Sequence, residues 1–124
     1  MNYEDRVTKE YIENAIANAG SKIVVGTYTG DGEPSQFIDL GATPKAVYVC
    51  KTSDGTNQAW STTNRFYYGG LVLEGHPISI QSMTILQIEA GGLRVYYSSD
   101  TSTSTRYFVQ TNNANVNYSY VAIF

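Results

Sequence analysis

Two periodicities divide the chain at Gly20. Before it, apolar residues recur every three to four positions, as on a helix face. From Ser21 onward they alternate with polar residues at a period of two, broken at regular intervals by turn residues. Ile23–Thr29 reads as a strand that ends at Gly30-Asp31-Gly32. Gln36–Leu40 follows, then Lys45–Lys51, closed by Asp54-Gly55. A polar stretch separates these from Gly70–Glu74 and Ile78–Ile80. Thr84–Ala90 sets Leu86, Ile88 and Ala90 on one side and Gln87 and Glu89 on the other. Gly91-Gly92 turns into Leu93–Tyr97, a hairpin signal. Arg106–Gln110 and Asn117–Phe124 complete the set. Eight or nine short strands at this spacing predict a mainly β fold, an antiparallel β-sandwich over 21–124. The last strand carries apolar residues on both faces, Tyr118, Tyr120, Ala122 and Phe124 against Val121 and Ile123. It is therefore expected at the centre of its sheet, or covered by a neighbouring chain.

Residues 3–19 read as one short N-terminal α-helix, capped by Asn2, with Glu4 and Asp5 opposing the dipole and Gly20 as the stop. Its apolar seam is thin. Thr8, Ile12, Ala15 and Ala19 fall at 4-3-4 spacing, widened by Ile16 and Tyr11. A helix of this length is marginal alone in water and must pack on something. Packing on its own domain is one reading. The favoured one makes residues 1–20 an oligomerisation helix, since a narrow seam suits a bundle of copies, most simply a homotrimer.

Composition narrows the function. The formal charge is -3 with eight basic and eleven acidic side chains, so no basic field exists for nucleic acid or anionic lipid. No apolar run reaches membrane-spanning length, and no signal peptide opens the chain. One Cys excludes an intrachain disulfide, and one His excludes a multi-His metal site within one chain. Cys50 sits in an apolar strand pattern and reads as a small buried hydrophobe. No catalytic constellation emerges: His76 stands alone before Pro77, and Asp31, Glu33, Asp39, Asp54, Glu74, Glu89 and Asp100 lie mostly at turns, where Asp side chains bond nearby backbone. A non-enzyme without metal or cofactor is expected, with a small polysaccharide hydrolase as the remote alternative.

Two segments carry recognition chemistry instead. Asn57–Tyr68 reads as a polar loop holding the single Trp, an Arg and further rings; Tyr96–Arg106 is a Ser/Thr-rich hairpin faced by Thr111–Asn115. Rings offer flat apolar faces to sugars, and amides, hydroxyls and guanidinium groups add directional bonds. A ligand site is expected on Trp60, Arg65, Tyr67 and Tyr68, helped by Asp100, Arg106 and Asn113. The competing reading folds these rings into the core.

Gly26-Thr-Tyr-Thr-Gly-Asp-Gly32, Ile38–Val49, Gly69-Gly-Leu-Val-Leu73 and Tyr118-Ser-Tyr-Val-Ala122 resemble the β-rich C-terminal domains of bacteriophage and prophage tail-fibre or tail-tip proteins. Thr8–Ile16 resembles the short helices that precede such domains in phages of Gram-positive hosts. The closing strand also resembles small six-stranded trimeric lectins. The tail-fibre resemblance implies a trimeric β-sandwich on the virion, made in the host cytoplasm. It would bind a host cell-surface glycan, or serve only as a structural accessory or decoration protein held by other tail proteins. The family's loops vary, so the resemblance carries over no binding residue. The short chain with its own Met1 favours a small tip or accessory protein over a full-length fibre.

Overall fold

The computed structural model describes residues 22–60 and 62–124, apart from the Trp60 side chain. The expected helix over 3–19, with Thr8, Ile12, Ala15, Ile16 and Ala19, lies outside the described residues. Among the described residues the chain is mainly β and forms two sheets.

The smaller sheet runs β1 (Ile23–Thr29), β11 (Asn117–Ile123), β3 (Ala46–Lys51), β6 (Gly70–Leu73), all antiparallel. The last strand is central, as its two apolar faces predicted. Alternation assigns the faces. Val47, Val49, Val72, Tyr118 and Ala122 point inward and are fully buried. The other face carries Ile23, Val25, Tyr48, Leu71, Leu73 and Ile123, all exposed. Cys50 belongs to that outer face through its partner Ser119, and it is half-buried rather than a core residue. Its strand is apolar on both sides, so the local pattern did not reveal which face the thiol takes.

The larger sheet follows β4 (Asn57–Trp60), β5 (Asn64–Tyr67), β10 (Arg106–Gln110), β9 (Gly92–Asp100), β8 (Met83–Glu89) and β7 (Ile78–Ile80), with β2 (Ser35–Asp39) also on β9. Two expectations are corrected here. The stretch from Asn57 is a hairpin, β4 against β5, not a loop. The sheet is also not wholly antiparallel: β5 and β10 run parallel, with Phe66 opposite Phe108. The strand at 84–90 buries both Ile85 and Leu86, so it is less cleanly two-sided than its alternation suggested.

One apolar cluster joins the sheets. Val47, Val49, Val72, Tyr118 and Ala122 meet Leu86, Ile88, Leu93, Val95 and Val109. Burying each Val or Leu contributes about 1.5–3 kcal/mol before conformational entropy is subtracted. Two tyrosines extend the cluster into the loops. Tyr28 and Tyr118 stack with ring centres 4.9 Å apart and planes at 13°. Tyr28 Oη donates to Thr111 O at 2.7 Å, and Tyr118 Oη donates to Gln110 O while accepting the Asn113 N–H.

β9 changes partners midway. Gly92–Val95 pairs with β8, whereas Tyr97–Asp100 pairs with β10. Thr111 seals the fork. Its buried hydroxyl accepts the Tyr96 N–H at 2.8 Å and lies 2.9 Å from Ile85 O and 3.1 Å from Tyr96 O. One hydroxyl proton serves both carbonyls, so backbone groups that lose ladder partners at the fork keep a bond. Beside it, fully buried Asn112 accepts the Asp31 N–H and donates to Asp31 Oδ1 and Glu33 O, fixing the turn after β1. Gly92 opens β9 because a Cβ there would stand 2.1 Å from Ile38 O.

Candidate functional site

Four strands build the end of the larger sheet that carries the expected ligand residues. Their register sets side chains in rows: Ala59, Arg65, Tyr107, Asp100; then Gln58, Phe66, Phe108, Ser99; then Asn57, Tyr67, Val109, Ser98. Successive rows face opposite ways. Phe66, Phe108, Ser99, Tyr97, Gln110 and Arg106 therefore share one face, and Arg65, Tyr107, Asp100 and Tyr67 share the other.

On the first face the rings of Phe66 and Phe108 stack at 4.7 Å with planes 13° apart. A shallow cleft of about 200 Å³ opens beside them, lined by Tyr97, Ser98, Ser99, Phe108 and Gln110. Sites that enclose a drug-sized ligand or cofactor usually measure about 300–1,000 Å³. This one takes a single small ring or the edge of a chain. The rings of Tyr97 and Phe108, the Ser99 hydroxyl and the Gln110 amide stand on this face of the sheet. The arrangement can stack on a ligand and hydrogen-bond to it.

The expected residues separate in the structure. Arg106 is exposed and is a register partner of Asn64, itself paired with Trp60, so three neighbouring strands bring these positions into one row. Arg65 is half-buried, and its Nη1 donates to Asn64 O at 3.2 Å. Asp100 lies two strands from Arg65 in the same row. Its carboxylate takes the Ser102 N–H and hydroxyl, at 3.0 and 2.6 Å, which holds its pKa below the usual carboxylate range. Tyr67 is half-buried and packs on the core.

One assignment is corrected. Tyr68 is a core residue, 4% exposed, with Oη donating to Gln58 Oε1 and the Lys51 ammonium 4.5 Å from its ring centre. It offers no face to a ligand. Asn113 works in the turn after β10, its N–H donated to Tyr118 Oη and its carbonyl accepting the Val116 N–H.

The acids mostly shape backbone. Asp31 accepts the Glu33 N–H and Asp39 the Gly41 N–H, both at 2.9 Å, as expected of Asx turns. Glu89 pairs with Arg94 at 2.9 Å. Burial raises the Tyr96 hydroxyl, with the Glu89 charge adding to it. His76 is exposed and its N–H closes a turn onto Leu73 O. Among the described residues no three His, Cys, Asp or Glu side chains gather as metal ligands.

Phe108 and Gln110 were missed as site residues because they read as ordinary strand positions, and Tyr97 and Ser99 lie in the recognition segment Tyr96–Arg106 without having been singled out. One signal did exist. Tyr107 and Phe108 are consecutive rings, so both faces of β10 are aromatic at its exposed end. Comparison with known proteins finds no matching family model, curated protein or solved structure.

Proposed function

We propose that this protein is a non-enzymatic virion component of a phage or prophage, a β-sandwich whose β9–β10 cleft binds a host cell-surface glycan. The virion setting rests on the resemblance of the turn and closing-strand motifs to tail-fibre and tail-tip domains. The sandwich reading is supported by the single core that draws on both sheets. Glycan binding rests on one observation: a cleft in which Phe108, stacked on Phe66, meets Tyr97, Ser99 and Gln110. A pyranose has an apolar face that stacks on rings and hydroxyls that match serines and amides. A cleft this small gives a weak single site, and display in several copies on a virion raises the effective concentration.

The test is a glycan array probed with the protein clustered on a multivalent carrier. Wild type should bind a host-wall glycan, and Tyr97→Ala and Phe108→Ala should each lower the signal at least tenfold while the protein stays folded. A blank array across host-wall glycans, with the protein still retained in purified tails, would replace this reading by a purely structural role among other tail proteins. Reducing-sugar release from the bound polysaccharide would make it a hydrolase.

A further inference from the structure

The smaller sheet has an open edge that the cleft leaves unexplained. β1 is its outermost strand and pairs on one side only, with β11. The Phe124 N–H donates to Lys22 O at 2.8 Å and the Gly30 N–H to Val116 O at 2.9 Å, which fixes the phase of the ladder. Lys22, Val24, Gly26, Tyr28 and Gly30 turn their backbone groups toward β11, so Ile23, Val25, Thr27 and Thr29 turn theirs outward. Among the described residues no backbone bond is made to these outward groups. Such an edge is a template for another strand, and folded domains normally guard it with charge, proline, a bulge or shortness. The other edges carry guards. β2 lies between Pro34 and Asp39, β7 has three residues with a bulge between Ile78 and Ser79, and β4 and β6 have four residues each. β1 has seven residues in unbroken register, with neither charge nor proline.

We propose that β1 pairs antiparallel with β1 of a second copy of this chain, about a twofold axis at Gly26, joining the two smaller sheets into one. Three observations select this occupant. The first is that the edge is complementary to itself. With Gly26 opposite Gly26, Ile23 faces Thr29 and Val25 faces Thr27 of the second copy, so every outward N–H and C=O of the four residues gains a partner. Moving the axis to Val25 or to Thr27 sets Thr29 or Ile23 opposite a residue beyond the strand. The second is charge. The register at Gly26 sets exposed Lys22 opposite Gly30 of the second copy, next to its exposed Asp31, and symmetry repeats this at the other end of the ladder. The third is the side chains that the same residues carry. Val25 is 74% exposed and Ile23 67%, and the pairing gives each a threonine as a cross-strand neighbour on one face. Twofold pairing also closes on itself, because it consumes the open edge and leaves the joined sheet ending on the short β6 at both sides. The inference does not depend on what the cleft binds, and it makes the assembly a dimer where the N-terminal seam suggested a trimer.

Sedimentation equilibrium of the full-length chain, across a hundredfold range of concentration, reads the assembly. Wild type should fit a monomer–dimer equilibrium. Val25→Pro removes an N–H that the chain's own sheet does not use, so the fold should survive while the dimer dissociates at least tenfold more readily. Val25→Thr keeps that N–H and trims only the apolar side chain, and it should dimerise within twofold of wild type. Weakening of both variants alike would place the contact on the outer sheet face and overturn the proposal. So would a monomeric or trimeric wild type, or a folded Val25→Pro that dimerises as well as wild type. Should Val25→Pro unfold, a cross-link decides. Across the axis the two Thr27 positions lie about 9 Å apart. Thr27→Cys in a Cys50→Ser background should therefore be joined between chains by a short bismaleimide, whereas Glu74→Cys in the same background, beyond the opposite edge strand, should not. No link at Thr27→Cys, or equal linking at both positions, overturns the pairing.

Discussion

Two of the stacked ring pairs among the described residues have nearly equal geometry in different surroundings. Tyr28 and Tyr118 lie 4.9 Å apart at 13°, and Phe66 and Phe108 lie 4.7 Å apart at 13°. The tyrosines are buried, and each hydroxyl ends on a backbone carbonyl of Gln110 or Thr111. Both phenylalanines are half-buried; Phe108 lines the cleft with Tyr97, Ser99 and Gln110, and Phe66 also stacks on Tyr68. Ring geometry alone therefore does not separate a core element from a recognition surface. What the rings meet does: backbone carbonyls at the tyrosine hydroxyls in one pair, and the cleft at Phe108 in the other.

The contrast has a thermodynamic form. Tyr118→Ala should lower unfolding free energy by about 3–5 kcal/mol in urea titration, the range for emptying a buried aromatic site. Thr111→Val should cost about 1–3 kcal/mol, because the Tyr96 N–H and Ile85 O lose a bond while the side-chain volume is nearly kept. Phe108→Ala should cost less than Tyr118→Ala and act mainly on binding; an equal loss of stability would move the second pair into the core. Arg106→Ala should stay within about 0.5 kcal/mol, as for an exposed side chain without structural duty.

Alkaline titration probes the first pair and not the second, with Tyr96 as a further raised hydroxyl in the background. Burial pushes the Tyr118 hydroxyl up to about 12 and raises that of Tyr28 further. A neutral phenol is thus favoured in the fold relative to the unfolded chain, where the pKa is about 10. The contribution is fully present below pH 10 and is lost as pH rises through about 12. Melting temperature should hold between pH 8 and 9.5 and fall beyond pH 10. Tyr118→Phe should flatten that fall, and Phe108→Ala should leave its shape unchanged.

Most of the strands were legible because their signal is local. Ile23–Thr29 and Arg106–Gln110 form over the expected residues, and the two apolar faces of Asn117–Ile123 correctly placed it in the sheet interior. The hairpin from Asn57 was not legible. Asn57-Gln-Ala-Trp and Asn64-Arg-Phe-Tyr lack period-two alternation, and their strand state depends on pairing with β10, far along the chain. The turn between β7 and β8 hid for another reason. Gln81 and Ser82 both adopt positive φ, 51° and 65°, a tight hairpin turn normally announced by Asn-Gly. Ring roles were the least legible. Tyr68 follows β5 and Phe108 is the middle residue of β10, and only the tertiary fold sends one inward and the other to the cleft.

The pairing of β1 with β11 has a mechanical consequence. Ile23 stands opposite Ile123 and Thr29 opposite Asn117, so both ends of the described chain leave from one corner. Pulling those ends apart peels the ladder one pair at a time, at low force. A tether at the N-terminal side and a load at the Gln110 end act differently, because Tyr118 anchors that carbonyl near the far end of β11. Tension then runs lengthwise, and all seven register pairs resist together in shear. The same ladder is weak as a zipper and strong as a strut, according to which of its ends carry the load.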